Sequence, residues 1–201
     1  AIKKAEVKPE VVVCLSAVGY YGNSGNTILT EENSYGNDFL SSVCKDWEKE
    51  ATAVKKHNVR SIIIRTGIVL SKEGGALSQM LLPFKLFIGG PLGNGRQWFP
   101  WIHIDDIVNL YLFAIDNPSF AGVVNGTAPK PITMKEFAKA LGNVIKRPSI
   151  FPVPEFIITI IFGKLGKAIL ASQRALPQKA MDTGFKFMYE DVNSALKNIL
   201  K

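Results

Sequence analysis

Few side chains in this chain combine reactive chemistry with informative spacing, and Ser16 is the first of them. It directly follows Glu10 to Leu15 (EVVVCL), where Val11, Val12 and Val13 form a continuous apolar run that fits a strand buried on both faces. A serine at the carboxyl end of a parallel strand points into the ligand crevice of an open α/β sheet. There its hydroxyl can hydrogen-bond a carbonyl or an alcohol. Taken alone, a turn-capping role is the simpler account. Gly19, Gly22 and Gly25 come next, at the spacing GxxGxxG. A phosphate cradle needs a helix N-terminus immediately afterwards. Asn26 to Asn33 (NTILTEEN) is acidic and has no helical pattern, so the phosphate reading is rejected.

Two further candidates lie mid-chain. Arg96 follows the glycine-rich loop from Gly89 to Gly95; it can bind a phosphate bidentately or stand as a solvated loop arginine, and both readings stay open. Trp98 to Asp106 (WFPWIHIDD) joins aromatics, His103 and two aspartates. No nucleophile or metal-ligand set accompanies His103, which reads as a structural histidine tied to a neighbouring carboxylate. Asp105 or Asp106 reads as a helix N-cap rather than a catalytic acid. Cys14 and Cys44 sit in apolar surroundings without metal-ligand spacing. They read as reduced core thiols in a reducing, cytoplasmic setting, and no metal is expected.

The elements that must position these groups follow from periodicity. Asp38 to Lys56 is helical, with Phe39, Val43, Trp47 and Val54 recurring and Asn37 or Asp38 as cap. Val59 to Thr66 (VRSIIIRT) is a second buried strand, so the early chain forms a parallel crossover unit. Helices are expected over Gly74 to Ile88, with a break at Pro83, and from Asp105 or Asp106 to Ile115. Gly122 to Gly126 is a short strand. Thr133 to Glu136 is a capping box opening a helix to Leu141. Glu155 to Ser172 and Tyr189 to Leu200 are the remaining helical stretches, and Phe156 to Phe162 reads as a buried or interfacial segment.

Composition narrows the class. The chain has 201 residues, 47% hydrophobic and 20% charged, as a soluble globular core requires. No window reaches the roughly 18 apolar residues of a membrane span. The net charge of +7 permits an anionic ligand, a dinucleotide or nucleotide-sugar among them. Lysines and arginines are scattered without a basic stripe, so nucleic acid is not an expected partner. The chain begins with Ala1, which points to processing or truncation.

Taken together, these segments resemble the extended short-chain dehydrogenase/reductases of the nucleotide-sugar epimerase type, within an atypical epimerase-like subfamily. The stretches that carry the resemblance are SAVGYYG (Ser16 to Gly22), NDFLSSVCKDWE (Asn37 to Glu48) and RTGIVLSKEGGAL (Arg65 to Leu77). MLLPFKLFIGGPLGNGRQWFPWIHIDD (Met80 to Asp106), VNGTAPKPITMKEFAKALG (Val124 to Gly142) and QRALPQKAMDTGFKF (Gln173 to Phe187) complete it. The resemblance implies an α/β fold: the C-terminal part of a Rossmann-type parallel sheet with a small helix-rich substrate lobe. Residues 1–70 and 103–128 would belong to the sheet domain, and 71–102 and 129–201 to the lobe and C-terminal helices. Glu10 to Leu15 would be the family's fifth strand and Ser61 to Arg65 its sixth. The first four strands and the cofactor fingerprint would precede Ala1, making the natural protein longer by about 90 to 100 residues, the length of four strands with crossovers.

The function so implied is an NAD(P)-dependent epimerase or oxidoreductase, NADP preferred over NAD, acting on a sugar-nucleotide or another small hydroxyl or carbonyl substrate. Ser16 would hold the family's catalytic serine/threonine position, and Ser16, Ala17, Arg65, Thr66 and Gly67 would meet the nicotinamide end. Gly74, Gly75, Arg96, Gln97 and His103 would meet the substrate. The expected partner is a small molecule, with neither nucleic acid nor membrane and with a homodimer as one option. One departure bears on mechanism. The family's Tyr and Lys, four residues apart on the helix after the serine strand, are absent: Phe39 is followed four later by Val43, Tyr35 by Phe39, and Lys45 is off register. Phenylalanine carries no transferable proton. Tyr20 and Tyr21, beside Ser16, are the candidates to replace it. The alternative is a non-catalytic, NAD(P)-binding regulatory protein that retains the fold.

Overall fold

The computed structural model describes residues 2–201. Nine strands occur among them: β1 (Val11–Ala17), β2 (Ile28–Leu29), β3 (Arg60–Thr66), β4 (Ile68–Leu70), β5 (Trp98–Phe99), β6 (Trp101–His103), β7 (Gly122–Gly126), β8 (Ile132–Thr133) and β9 (Arg174–Ala175). The helices are α1 (Phe39–Thr52), α2 (Gly75–Lys85), α3 (Ile104–Asp116), α4 (Met134–Ile145), α5 (Glu155–Phe162), α6 (Lys164–Ile169), α7 (Gln178–Asp182) and α8 (Val192–Leu200). The main sheet is parallel, in the order β1-β3-β7. Short pairs β2–β9, β4–β6 and β5–β8 lie around it. The fold is thus α/β with a Rossmann-type parallel arrangement.

β3 is the centre of this sheet, and its sequence shows why. Ile62 and Ile64 point one way, into a core with Ile107, Leu110 and Ala114 of α3 and Phe120. Ser61 and Arg65 point the other way, toward α1, where the Ser61 hydroxyl donates to the Ala51 carbonyl at 2.9 Å. Strand alternation therefore sends Ile62 and Ile64 to α3 and Ser61, Ile63 and Arg65 to the α1 side. β1, read as buried on both faces, is instead half-buried from Val11 to Cys14, and Leu15 is exposed. The reason is pairing: among the described residues β1 has a partner only on its β3 side.

A second core lies away from the main sheet. Leu77 and Phe84 of α2, Phe137 and Leu141 of α4, and Leu196 of α8 close on Phe99 and Trp101. Each such side chain contributes about 1.5–3 kcal/mol by leaving water. The Thr133–Glu136 capping box forms as expected and opens α4. Asp38 caps α1, accepting the Ser41 backbone N–H at 2.8 Å, a contact typically contributing about 1 kcal/mol.

Several boundaries differ from the sequence reading. α3 is capped by His103, whose ring Nδ1 accepts the Asp105 N–H at 3.0 Å, not by Asp105 or Asp106. Asp106 is fully buried and does something else: its carboxylate accepts the backbone N–H groups of Met188 and Tyr189 at 2.7 and 3.0 Å. Pro83 lies inside α2, which runs two residues past it and closes at Phe87, a residue with φ of 63°. The stretch 155–172 is two helices, parted at Gly163 with φ of 56°, a conformation glycine adopts without steric cost. In α5 Ile158 is buried while Phe156 and Ile160 face outward. The side chains of Ile161 and Phe162, part of the segment read as interfacial, and Ala1 lie outside the described residues. Among the described residues no helix is long and apolar enough to cross a membrane.

Candidate functional site

Sheet register brings the first group together. Ser16 of β1 lies opposite Arg65 of β3, and Arg65 lies opposite Asn125 of β7. These three polar residues form one row across the sheet on the α1 side, and all are buried. A buried guanidinium requires a counter-charge. Glu48, on the inward face of α1 with Ser41 and Cys44, supplies it. Arg65 donates Nε to Glu48 Oε1 and Nη2 to Oε2, each at 2.8 Å, a bidentate fork. The Ser16 hydroxyl also donates to Glu48 Oε1, at 2.8 Å. Arg65 Nη1 donates to the Tyr21 hydroxyl at 2.9 Å, and Tyr21 in turn reaches Asn125 Oδ1 at 2.7 Å. Burial opposes the charge on Arg65, but Glu48 and Tyr21 more than offset it and hold the guanidinium above its ordinary value. Burial pushes the Tyr21 phenol up to about 12, against the opposing influence of Arg65.

The edge of this network reaches the surface through aromatic contacts. The Tyr20 ring stacks on Arg65, 3.4 Å from ring centroid to guanidinium carbon. Tyr35 packs edge-on against Tyr20, and Lys45 donates to the Tyr35 hydroxyl at 2.8 Å. That hydrogen bond holds Lys45 above its ordinary value. A tyrosine and a lysine therefore do meet, ten residues apart in sequence rather than four. Phe39, meanwhile, is turned outward and largely exposed.

Two adjoining cavities open on the carboxyl-end side of β1. The smaller, about 710 Å³, has a mixed polar and apolar wall that includes Tyr35 and Tyr21. The larger, about 1190 Å³, lies between the loop after β1, the start of α1, the glycine-rich loop and the α5–α6 segment. Asn23 and Asp38 line both. Arg96 and Gln97 line the larger one. The other substrate candidates sit elsewhere. Gly74 and Gly75 open α2 and line neither cavity. His103 is buried, stacks on Tyr189 at 3.9 Å and meets Asn198 at 3.2 Å through Nε2. Burial holds its imidazole below the ordinary value.

A family profile described as "NAD dependent epimerase/dehydratase family" matches residues 1–125 of this chain. The chain belongs to that family. A domain of unknown function, DUF1731, matches residues 153–199. The chain is 46% identical over 197 residues to the chloroplastic epimerase family protein SDR39U1 homolog of Arabidopsis thaliana, covering 98% of this chain and 56% of that one. It is 40% identical to the epimerase family protein YfhF of Bacillus subtilis, covering 99% and 66%. The crystal structure of human epimerase family protein SDR39U1 (isoform 2) with NADPH superposes with a TM-score of 0.90 at 33% identity, over 99% of this chain and 68% of that one. This epimerase-family chain thus spans little more than half of the plant relative's length.

The residues assigned to the nicotinamide end divide in two. Ala17 and Thr66 end β1 and β3 and are partly exposed, so they can form the floor of such a site. Ser16 and Arg65 are buried with their polar atoms engaged. Gly67 serves a close backbone approach, since a Cβ there would lie 2.2 Å from the Pro100 carbonyl oxygen. The element after Gly25 is the short strand β2, not a helix, so the GxxGxxG stretch makes no phosphate cradle. Glu48 and Asn125 were missed, and Tyr35 and Lys45 were set aside for lack of a four-residue spacing. Glu48 left a signal, a carboxylate in helical phase with buried Ser41, Cys44 and Ala51.

Proposed function

We propose that the protein is an NAD(P)-dependent oxidoreductase or epimerase that uses NADP(H) in preference and moves a hydride between the nicotinamide and a carbinol carbon of a small hydroxyl or carbonyl compound. The observation that carries this reading is the larger cavity, set on the carboxyl-end side of a parallel sheet, where open α/β folds bind ligands. The NADPH in the human relative's structure supports the choice of cofactor. The nicotinamide, when bound, supplies the hydride. Ala17 and Thr66 would lie beneath it.

The chain's own residues handle the proton. Tyr21 is a poor candidate, because its hydroxyl is saturated by Arg65 and Asn125 and its proton is held tightly. Tyr20 stacks its ring on Arg65 and lines neither cavity. Tyr35 is better placed, because its hydroxyl accepts from Lys45 Nζ at 2.8 Å and the ring lines the smaller cavity, beside the larger one. Ser16 and Glu48 act behind this surface as positioning groups.

A second reading has a specific observation behind it. No Tyr-Lys pair occupies the α1 face toward Ser16, which carries Ser41, Cys44 and Glu48 instead. That favours a cofactor-binding regulatory protein. NADPH titration of the full-length protein by fluorescence, followed by a panel of carbonyl compounds, separates the two. Saturable binding with oxidation by some panel member, lost about 100-fold or more in Tyr35→Phe, is the expected result. Binding without turnover gives the regulatory reading, and no binding removes both.

A further inference from the structure

Away from both cavities, the ends of α2 and α4 meet at a surface that the proposed chemistry does not use. Leu86, Phe87 and Ile88, where α2 closes, are each more than half exposed. So are Ile150 and Phe151 in the loop after α4, at 70% and 51%. The two stretches run side by side. Phe151 donates its N–H to the Gly89 carbonyl at 3.2 Å, and Val153 donates to Pro91 at 2.9 Å. A Cβ on Gly90 would lie 2.1 Å from the Phe151 carbonyl oxygen. The five side chains therefore form one apolar surface rather than scattered positions. α5 follows directly, and its Phe156 and Ile160 are exposed as well.

Charge narrows what can cover this surface. Residues 80–94 and 142–154, which build it, contain Lys85, Lys146 and Arg147 and neither Asp nor Glu. Lys85 and Lys146 are exposed, and Arg147 lies over the Phe87 ring, 4.5 Å from guanidinium carbon to centroid. Among the described residues none of the three is in an ion pair. Glu155, the next carboxylate along the chain, is turned to Gly93 and the larger cavity. The exposed side of α3 differs: Val108, Leu112 and Ile115 share that helix with Asp105 and Asp116 and with no cation. A second copy docked face to face would set Lys85, Lys146 and Arg147 against their own equivalents, so the occupant is anionic.

Hydrogen bonding narrows it further. Leu86, Phe87 and Ile88 return their N–H groups to the carbonyls of Leu82, Phe84 and Pro83 at 3.1, 3.0 and 3.0 Å. A protein partner needs about one hydrogen bond per 100–200 Å² of interface. Hydrocarbon needs none, and it requires that the backbone be satisfied internally. We propose that this face docks on an anionic lipid bilayer, with Phe87, Ile88, Ile150 and Phe151 entering the headgroup–acyl boundary and Lys85, Lys146 and Arg147 meeting lipid phosphates. The sequence reading sets a membrane aside for want of an apolar span; docking at the surface needs no span. The contact is independent of the cofactor and substrate readings.

Co-sedimentation of the full-length protein with vesicles tests this. Vesicles of equal parts phosphatidylglycerol and phosphatidylcholine should bind it roughly 100-fold more tightly than phosphatidylcholine alone, about 5-fold for each cation engaged. Lys85→Gln with Lys146→Gln should weaken that binding about 25-fold. Phe87→Asn with Ile150→Ser should weaken it about 10-fold or more. Asparagine suits the φ of 63° at position 87, and an unchanged urea midpoint shows that the fold is intact. Failure to sediment with the mixed vesicles overturns the proposal, as does equal binding to both vesicle types. Binding that needs the cations but survives the apolar pair makes this a plain anion site and overturns it too. A concentration-dependent dimer in sedimentation velocity, dissolved by Phe87→Asn with Ile150→Ser, assigns the face to a second copy instead.

Discussion

Arg65 with Glu48 and Arg96 with Glu155 use the same two side-chain types in opposite ways. The first set is buried in the α1 face of the sheet, and every polar atom on it has a partner. The second set stands in an open cavity wall, and neither member is engaged among the described residues. A buried ion pair leaves nothing for a ligand and makes the fold depend on it. An unengaged charge contributes little to the fold and is available for binding. Residue type alone does not separate the two roles; exposure and partner count do.

The sharpest way to break this comparison is Glu48→Gln. It leaves Arg65 buried beside a neutral amide and should lower stability by about 3–5 kcal/mol in urea denaturation. A loss near zero would mean that the buried set is not structural. Tyr21→Phe comes next, at about 1–3 kcal/mol, because Asn125 Oδ1 loses its hydroxyl donor and Arg65 one acceptor. His103 extends the contrast to pH. Its folded value is depressed by burial, so the unfolded chain binds the proton more readily. Its contribution is present above the unfolded value of about 6.5 and is lost as pH falls through the folded one. The urea midpoint should therefore fall on acidification from pH 7.5 to 5, and less so in His103→Asn. The smallest effect belongs to Arg96→Gln, within about 0.5 kcal/mol of wild type in the same assay. A larger loss would place Arg96 with the buried set.

Local signals carried the scaffold. VRSIIIRT announces β3 because a central parallel strand is buried on both faces, and Thr133 with Glu136 announces α4 because the reciprocal cap needs only four residues. The cap on α3 was misread because a histidine Nδ1, two residues before a free N–H, occupies the place a carboxylate oxygen would. Ser16 was found, but its hydroxyl points to Glu48, thirty-two residues on, which no local rule supplies. Of the larger cavity's wall only Arg96 and Gln97 were read as substrate contacts. Its wall comes from residues 23–26, 38–40, 94–97 and 155–172, four segments that tertiary packing alone brings together.

The two backbone bonds to Asp106 have a kinetic consequence. Asp106 belongs to α3 on the sheet, while Met188 and Tyr189 lead into α8, which fills the lobe core. A buried carboxylate therefore clasps the segment that joins one layer to the other. Deuterium should enter those two amides only when the clasp opens, so their protection measures the free energy of that local opening.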